Sequence, residues 1–356
     1  MDLRDLDFTA IAERYRLTFA RENHDRPLVH LAYGISSNTP WPPAPATVRE
    51  RWLNFDWRLD QYEAILARTG FLLEGFPSFH CNLGPDILAA CMGSELEFAE
   101  TTSWAVPRVK DWRQEPPLRF HRESFYWQEM ARFLRLSAER GKGRWLTASG
   151  DLHTNGDGLA ALRSPQLLLM DLMDDPEEVH RRLAECHAVF EQVLQAHFDI
   201  LLPASGGYSS SWCVAAIKGR FATIQNDFSC MVGPDHFREF FLPYVEKESA
   251  LLDACIYHLD GPGALRHLPL IASVPTIHVI QWVPGEGNKP PAEWLELLQQ
   301  IQSLGKGLWL FGTPQQQLEL MRVLKPEGCL YNVHLKDREE AESFVREARA
   351  IWNQCS

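Results

Sequence analysis

Short apolar runs that end in Gly, Pro, Asn or Asp recur along the chain, separated by longer segments in which apolar residues return every three or four positions. The runs are residues 27–34 (PLVHLAYG), 70–79 (GFLLEGFPSF), 144–153 (RWLTASGDLH), 198–205 (FDILLPAS), 254–261 (ACIYHLDG), 276–285 (TIHVIQWVPG), 307–314 (GLWLFGTP) and 329–335 (CLYNVHL). Each has the length and the near-continuous hydrophobicity of a strand buried on both faces. The segments 175–197, 291–305, 315–324 and 338–352 carry the helical period, and Asp174 or Asp175 before Pro176 is a helix start.

Eight buried strands alternating with helices predict an α/β fold, a (β/α)8 TIM barrel running from residue 28 to about 350. A helical extension, residues 1–27, precedes it, and the whole of 1–356 is expected to be one domain. A doubly wound open sheet is the alternative pattern. It calls for a glycine-rich turn after the first strand, where this chain has the proline-rich AYGISSNTPWPP.

Composition narrows the function. A formal net charge of -12 works against nucleic acid and against anionic membrane, both of which bind through Lys and Arg. A small-molecule substrate fits better. Twelve Trp and 19 Phe supply a large core. The cysteines at 81, 91, 186, 213, 230, 255, 329 and 355 follow no metal or disulfide spacing and read as reduced thiols. The first residues lack the basic start and apolar run of a signal peptide, and no stretch is apolar enough to span a bilayer. The expectation is a soluble cytoplasmic protein.

In a barrel the active site lies where the strands end. The predicted strand ends carry His80 and Asn82, Asp151 and His153, His258 and Asp260, Gln281 and Trp282, and Asn332 and His334. Any one of these has an ordinary reading as a helix cap or a hydrogen-bonded structural group. Polar groups at several independent strand ends have a shared one, a single cleft. His258 and Asp260 stand two apart on one strand and so face the same side, with Gly261 free to turn behind them. Asp227, after the apolar FATI run, is either a turn residue or a cleft residue. Trp104, Trp212 and Trp282 are either cleft walls or core. His180, His187 and His197 fall on a helical stretch and read as solvated or core-edge groups.

Several stretches together resemble the uroporphyrinogen decarboxylase superfamily, which includes the corrinoid-dependent methyltransferases: QNDFSCMVGPDHFREFFLPY (225–244), YHLDGPGALRHL (257–268), VIQWVPGEGNKPPAEWLELLQQIQSLGKGLWL (279–310), HCNLGPDILAACMG (80–93), TSWAVPRVKDW (102–112) and GDLHTNGDGLAALRSPQLLLMDLMDDPEEV (150–179). The resemblance covers most of the chain from about residue 28. It implies a (β/α)8 barrel with a deep central cleft and an enzyme of that superfamily.

Decarboxylases of the superfamily place arginines after the first strand to meet a porphyrinogen's carboxylates; residues 31–48 contain none. Their catalytic Asp has no clear counterpart in this chain, although Asp86 stands in a plausible loop. The methyltransferase branch carries His-x-Cys-Gly at the end of the fifth strand, plus a later Cys, around zinc. This chain has His258-Leu259-Asp260-Gly261 there, with Asp in place of the sulfur ligand, and Cys329 would lie at the wrong end of its strand. The resemblance therefore implies a metal set drawn from His258, Asp260 and one of His334, His153 or His80, or else a metal-free acid–base pair.

The reading that follows is a methyltransferase acting between a small methylated donor or thiol and a corrinoid (cobalamin) on a partner protein, with zinc as candidate metal. Its catalytic residues would be His258, Asp260 and Asp227. Its substrate-binding residues would be His80, Asn82, Asp151, His153, Trp212, Gln281 and Trp282. A decarboxylase acting on a porphyrinogen or another carboxylated substrate is the alternative. A non-catalytic barrel that binds a ligand or docks a corrinoid protein is the second.

Overall fold

The structure, a computed structural model, describes residues 1–355. The strands are β1 (Leu28–Gly34), β2 (Thr69–Leu73), β3 (Ser78–His80), β4 (Leu96–Phe98), β5 (Ser103–Ala105), β6 (Leu146–Ala148), β7 (Tyr208–Ser209), β8 (Ile217–Lys218), β9 (Phe221–Gln225), β10 (Ala254–Asp260), β11 (Val279–Val283), β12 (Gly307–Leu310) and β13 (Cys329–Leu335). Helices lie between most of them, so the fold is mixed α/β around a central sheet.

That sheet has the order β2-β1-β13-β12-β11-β10-β9. All its pairings are parallel except β1 with β2. The parallel pair β3–β6 stands apart from this ladder. One backbone bond ties the pair to the segment after β7: Ser149 N donates to Ser210 O at 3.0 Å. Among the described residues the paired strands thus form a seven-stranded sheet and three separate pairs, β3–β6, β4–β5 and β7–β8, not one continuous ring of ladders.

Two expected strands are corrected. Residues 198–205 are the end of a 29-residue helix, Pro176–Ala204. Phe198 and Leu201 prolong the buried stripe of Val179, Leu183, Cys186 and Phe190, and a short apolar run cannot by itself be told from such a helix end. The strand in that place is β9, buried along its whole length. Residues 70–79 hold two strands: antiparallel β2, then β3. Between them the Glu74 carboxylate accepts from Val29 N at 3.0 Å and pairs with Arg26 at 2.5 Å, pinning the reversal to β1.

Alternation along β10 separates the two sides of the sheet. Cys255, Tyr257 and Leu259 pack outward in the large core beneath the helices. Ala254 and Ile256 pack inward with Leu28, Phe221, Val279, Trp309 and Leu330, and the helix Phe8–Phe19 closes this inner cluster with Tyr15 and Phe19. The inner face is therefore apolar at the start of the strands and becomes polar toward their ends. Cys81, Cys91, Cys186, Cys213, Cys230, Cys255 and Cys329 are free thiols; the Cys355 side chain lies outside the described residues. No described helix is long and apolar enough to cross a membrane.

Candidate functional site

The last two inward positions of β10 are His258 and Asp260. The register sets His258 opposite Gln225 of β9 and Gln281 of β11, so three polar side chains share one tier. His258 Nδ1 lies 2.6 Å from Gln281 Oε1. A carbonyl oxygen can only accept, so Nδ1 donates in this contact and Nε2 is the nitrogen left for another partner. The Trp212 ring meets the imidazole edge-on, 5.0 Å between centroids.

Asp227 enters from the turn after β9. Asp227, His258 and Asp260 each offer one ligand atom, and these atoms all lie within 4.8 Å of one another. Asp227 Oδ1 is buried without a hydrogen-bond partner among the described residues. Burial, then the neighbouring Asp157 and more weakly Asp260, hold its carboxyl up at about 7, against the pull of His258 and His153. One imidazole nitrogen and two carboxylates, one with an orphaned oxygen, form a donor set that suits a divalent cation such as zinc.

A second tier of charge supports the first. The Asp157 carboxylate accepts from the backbone N–H of Asp227 at 2.9 Å and of Phe228 at 2.6 Å, fixing the turn that carries Asp227. This contact requires Gly156: a Cβ there would stand 2.8 Å from Asn226 Oδ1 and 3.1 Å from the Phe228 ring. His153 Nδ1 sits 3.3 Å from Asp86. Burial works against its charge, but Asp86, Asp151, Asp157 and Asp227 raise it to about 10, so the ring is an imidazolium at neutral pH. Asp151 accepts from Gln225 Nε2 at 3.3 Å, and burial keeps its carboxyl above the usual range.

The remaining expected residues lie elsewhere. Trp282 is a correction: as the neighbour of inward Gln281 it points outward, is 2% exposed and packs edge-on against Trp294 at 5.2 Å. It belongs to the helix-covered core. His80 is half-buried, and desolvation with nearby Arg58 and His197 pulls it to about 3, leaving a neutral ring. Asn82 Oδ1 accepts from Gly84 N at 2.6 Å and shapes the loop toward Asp86. His334, on an exposed side chain near the end of β13, is not among the three clustered ligands. Trp104 is 44% exposed. His197, read as a core-edge group, is fully buried. Gly261 has φ +74, the left-handed conformation that the turn behind Asp260 requires.

Asp157 and Gln225 were not singled out as site residues. The only trace of Asp157 in the sequence is its place between two glycines in NGDG. Gln225 ends a strand that was itself misplaced.

A methyltransferase from Methanosarcina mazei shares the fold, with a TM-score of 0.62 at 12% identity over 97% of this chain and 98% of that one. No family model matches the chain, and no curated protein does.

Proposed function

We propose that the chain is a methyltransferase whose parallel strands β1, β3, β6 and β9–β13 close into a (β/α)8 barrel, and that it moves a methyl group between a small methylated donor or thiol and a corrinoid carried on a partner protein. The observation that carries this reading is the convergence of Asp227, His258 and Asp260 at the ends of β9 and β10, in a fold shared with a methyltransferase.

His258 Nε2 and one oxygen each of Asp227 and Asp260 would hold zinc. When bound, zinc supplies a Lewis acid that lowers the pKa of a substrate thiol and keeps one position open for it. Gln281 fixes the His258 tautomer, and Asp157 fixes the Asp227 turn, so the ligands are set before anything binds. Trp212 keeps water from one side of the imidazole. Asp151 Oδ1 is engaged by Gln225, which leaves Oδ2 to take the thiol proton.

The porphyrinogen reading fits less well. Asp86, Asp151, Asp157, Asp227 and Asp260 share this region with only two histidines, and a polycarboxylate would meet like charge.

The test is demethylation of methylcobalamin by a panel of thiols with the zinc-loaded protein, followed by absorbance. Thiol-dependent turnover that disappears in His258→Ala is expected. Zinc bound with no turnover, on thiols or on methylated donors offered with cob(I)alamin, would leave the ligand-binding barrel as the reading.

A further inference from the structure

A cavity of about 330 Å³ opens beside the loop at Asn82 and is lined by Val48, Arg51, Trp52, Trp57, Arg58, Asn82, Glu100 and Thr101. Arg58 comes from the helix Phe55–Leu66, and its guanidinium carbon lies 4.7 Å from the Phe133 ring centre and 5.5 Å from that of Trp52. Nη1 donates to the backbone oxygens of Trp52 and Asn82. Among the described residues no carboxylate pairs with this guanidinium, and Nε and Nη2 find no acceptor. Burial draws its pKa down to about 10, the mark of a cation short of counter-charge.

The other charges in the cavity cancel. Arg51 binds Glu100 through both terminal nitrogens, at 2.6 and 3.1 Å. What remains unsatisfied is donors: Arg51 Nε and Trp57 Nε1 are buried without partners. Buried donors without acceptors are costly. A cation would aggravate that cost, and a neutral apolar ligand would leave it standing.

We propose that this cavity binds a small singly charged oxyanion group, a carboxylate or a phosphate, on the free edge of Arg58 with the Trp57 indole N–H as second donor. A guanidinium fork takes two oxygens of such a group at once. The volume lies at the small end of ligand pockets, which limits the ligand to a few heavy atoms beyond the anionic group. None of these residues belongs to the Asp227–His258–Asp260 cluster, so the site stands or falls independently of the methyl-transfer reading.

The test is calorimetric titration and thermal unfolding with sodium acetate and with inorganic phosphate, against sodium chloride at equal ionic strength. Acetate or phosphate should bind and raise Tm beyond chloride, the better probe naming the source of the oxyanion. Arg58→Met should abolish the effect. Trp57→Phe, which keeps the ring and removes only the N–H, should weaken binding by about tenfold. A Tm response to both anions no larger than to chloride would overturn the proposal. So would a Trp57→Phe variant that binds as the wild type does, whether or not Arg58→Met folds.

Discussion

The two ends of the inner sheet face use the same strands for opposite purposes. On β10 Ala254 and Ile256 lie among Phe221, Val279, Trp309 and Leu330, while two positions further on His258 faces Gln281 and Asp260 faces Asp227. The lower end holds apolar surface away from water, which is the main favourable contribution to folding. The upper end gathers carboxylates whose burial works against their charge, as the raised Asp151, Asp157 and Asp227 show. Such an arrangement is kept at the expense of stability, and strongly perturbed groups in one cleft mark functional sites.

The largest effect should fall outside both ends. Trp282→Ala should lose about 3–5 kcal/mol of stability in urea unfolding, because the ring is core between sheet and helices. A cleft residue would lose little stability. Ile256→Ala, at the apolar end, should cost about 2–5 kcal/mol and leave metal affinity unchanged. Gln281→Leu, at the polar end, should reverse that pattern. Unfolding should shift little while zinc affinity, measured by competition with a chelating dye, falls about 10–100-fold.

A separate effect is in pH. The folded His153 binds its proton up to about 10, whereas an unfolded histidine releases it near 6.5. The stability it contributes is therefore complete below pH 6.5 and lost as pH rises through 10. Wild-type Tm should fall between pH 6.5 and 9, and His153→Gln should flatten that decline. An unchanged slope would show that His153 is not held as an imidazolium.

Much of this was readable from local pattern. Period-two alternation put His258 and Asp260 on one side and Leu259 on the other, and the pairing partners of β10 confirm those faces. The same rule applied to β11 would have sent Trp282 outward once Gln281 was placed inward. Residues 198–205 were misread because a buried helix end and a buried strand look alike over eight residues. Asp157 and Arg58 were invisible for another reason. Their roles depend on partners at Asp227 and Asn82, and no local pattern encodes contacts made across elements.

Asp227, His258 and Asp260 are proposed to act as one cation site. The most direct test is elemental analysis of the zinc-reconstituted protein together with the absorption spectrum of its cobalt(II) form. One equivalent of metal should bind, lost in His258→Ala, with ligand-field bands of a nitrogen–oxygen donor set and no thiolate-to-cobalt charge transfer. A protein that holds no metal, keeps it in His258→Ala, or shows thiolate bands would contradict the account.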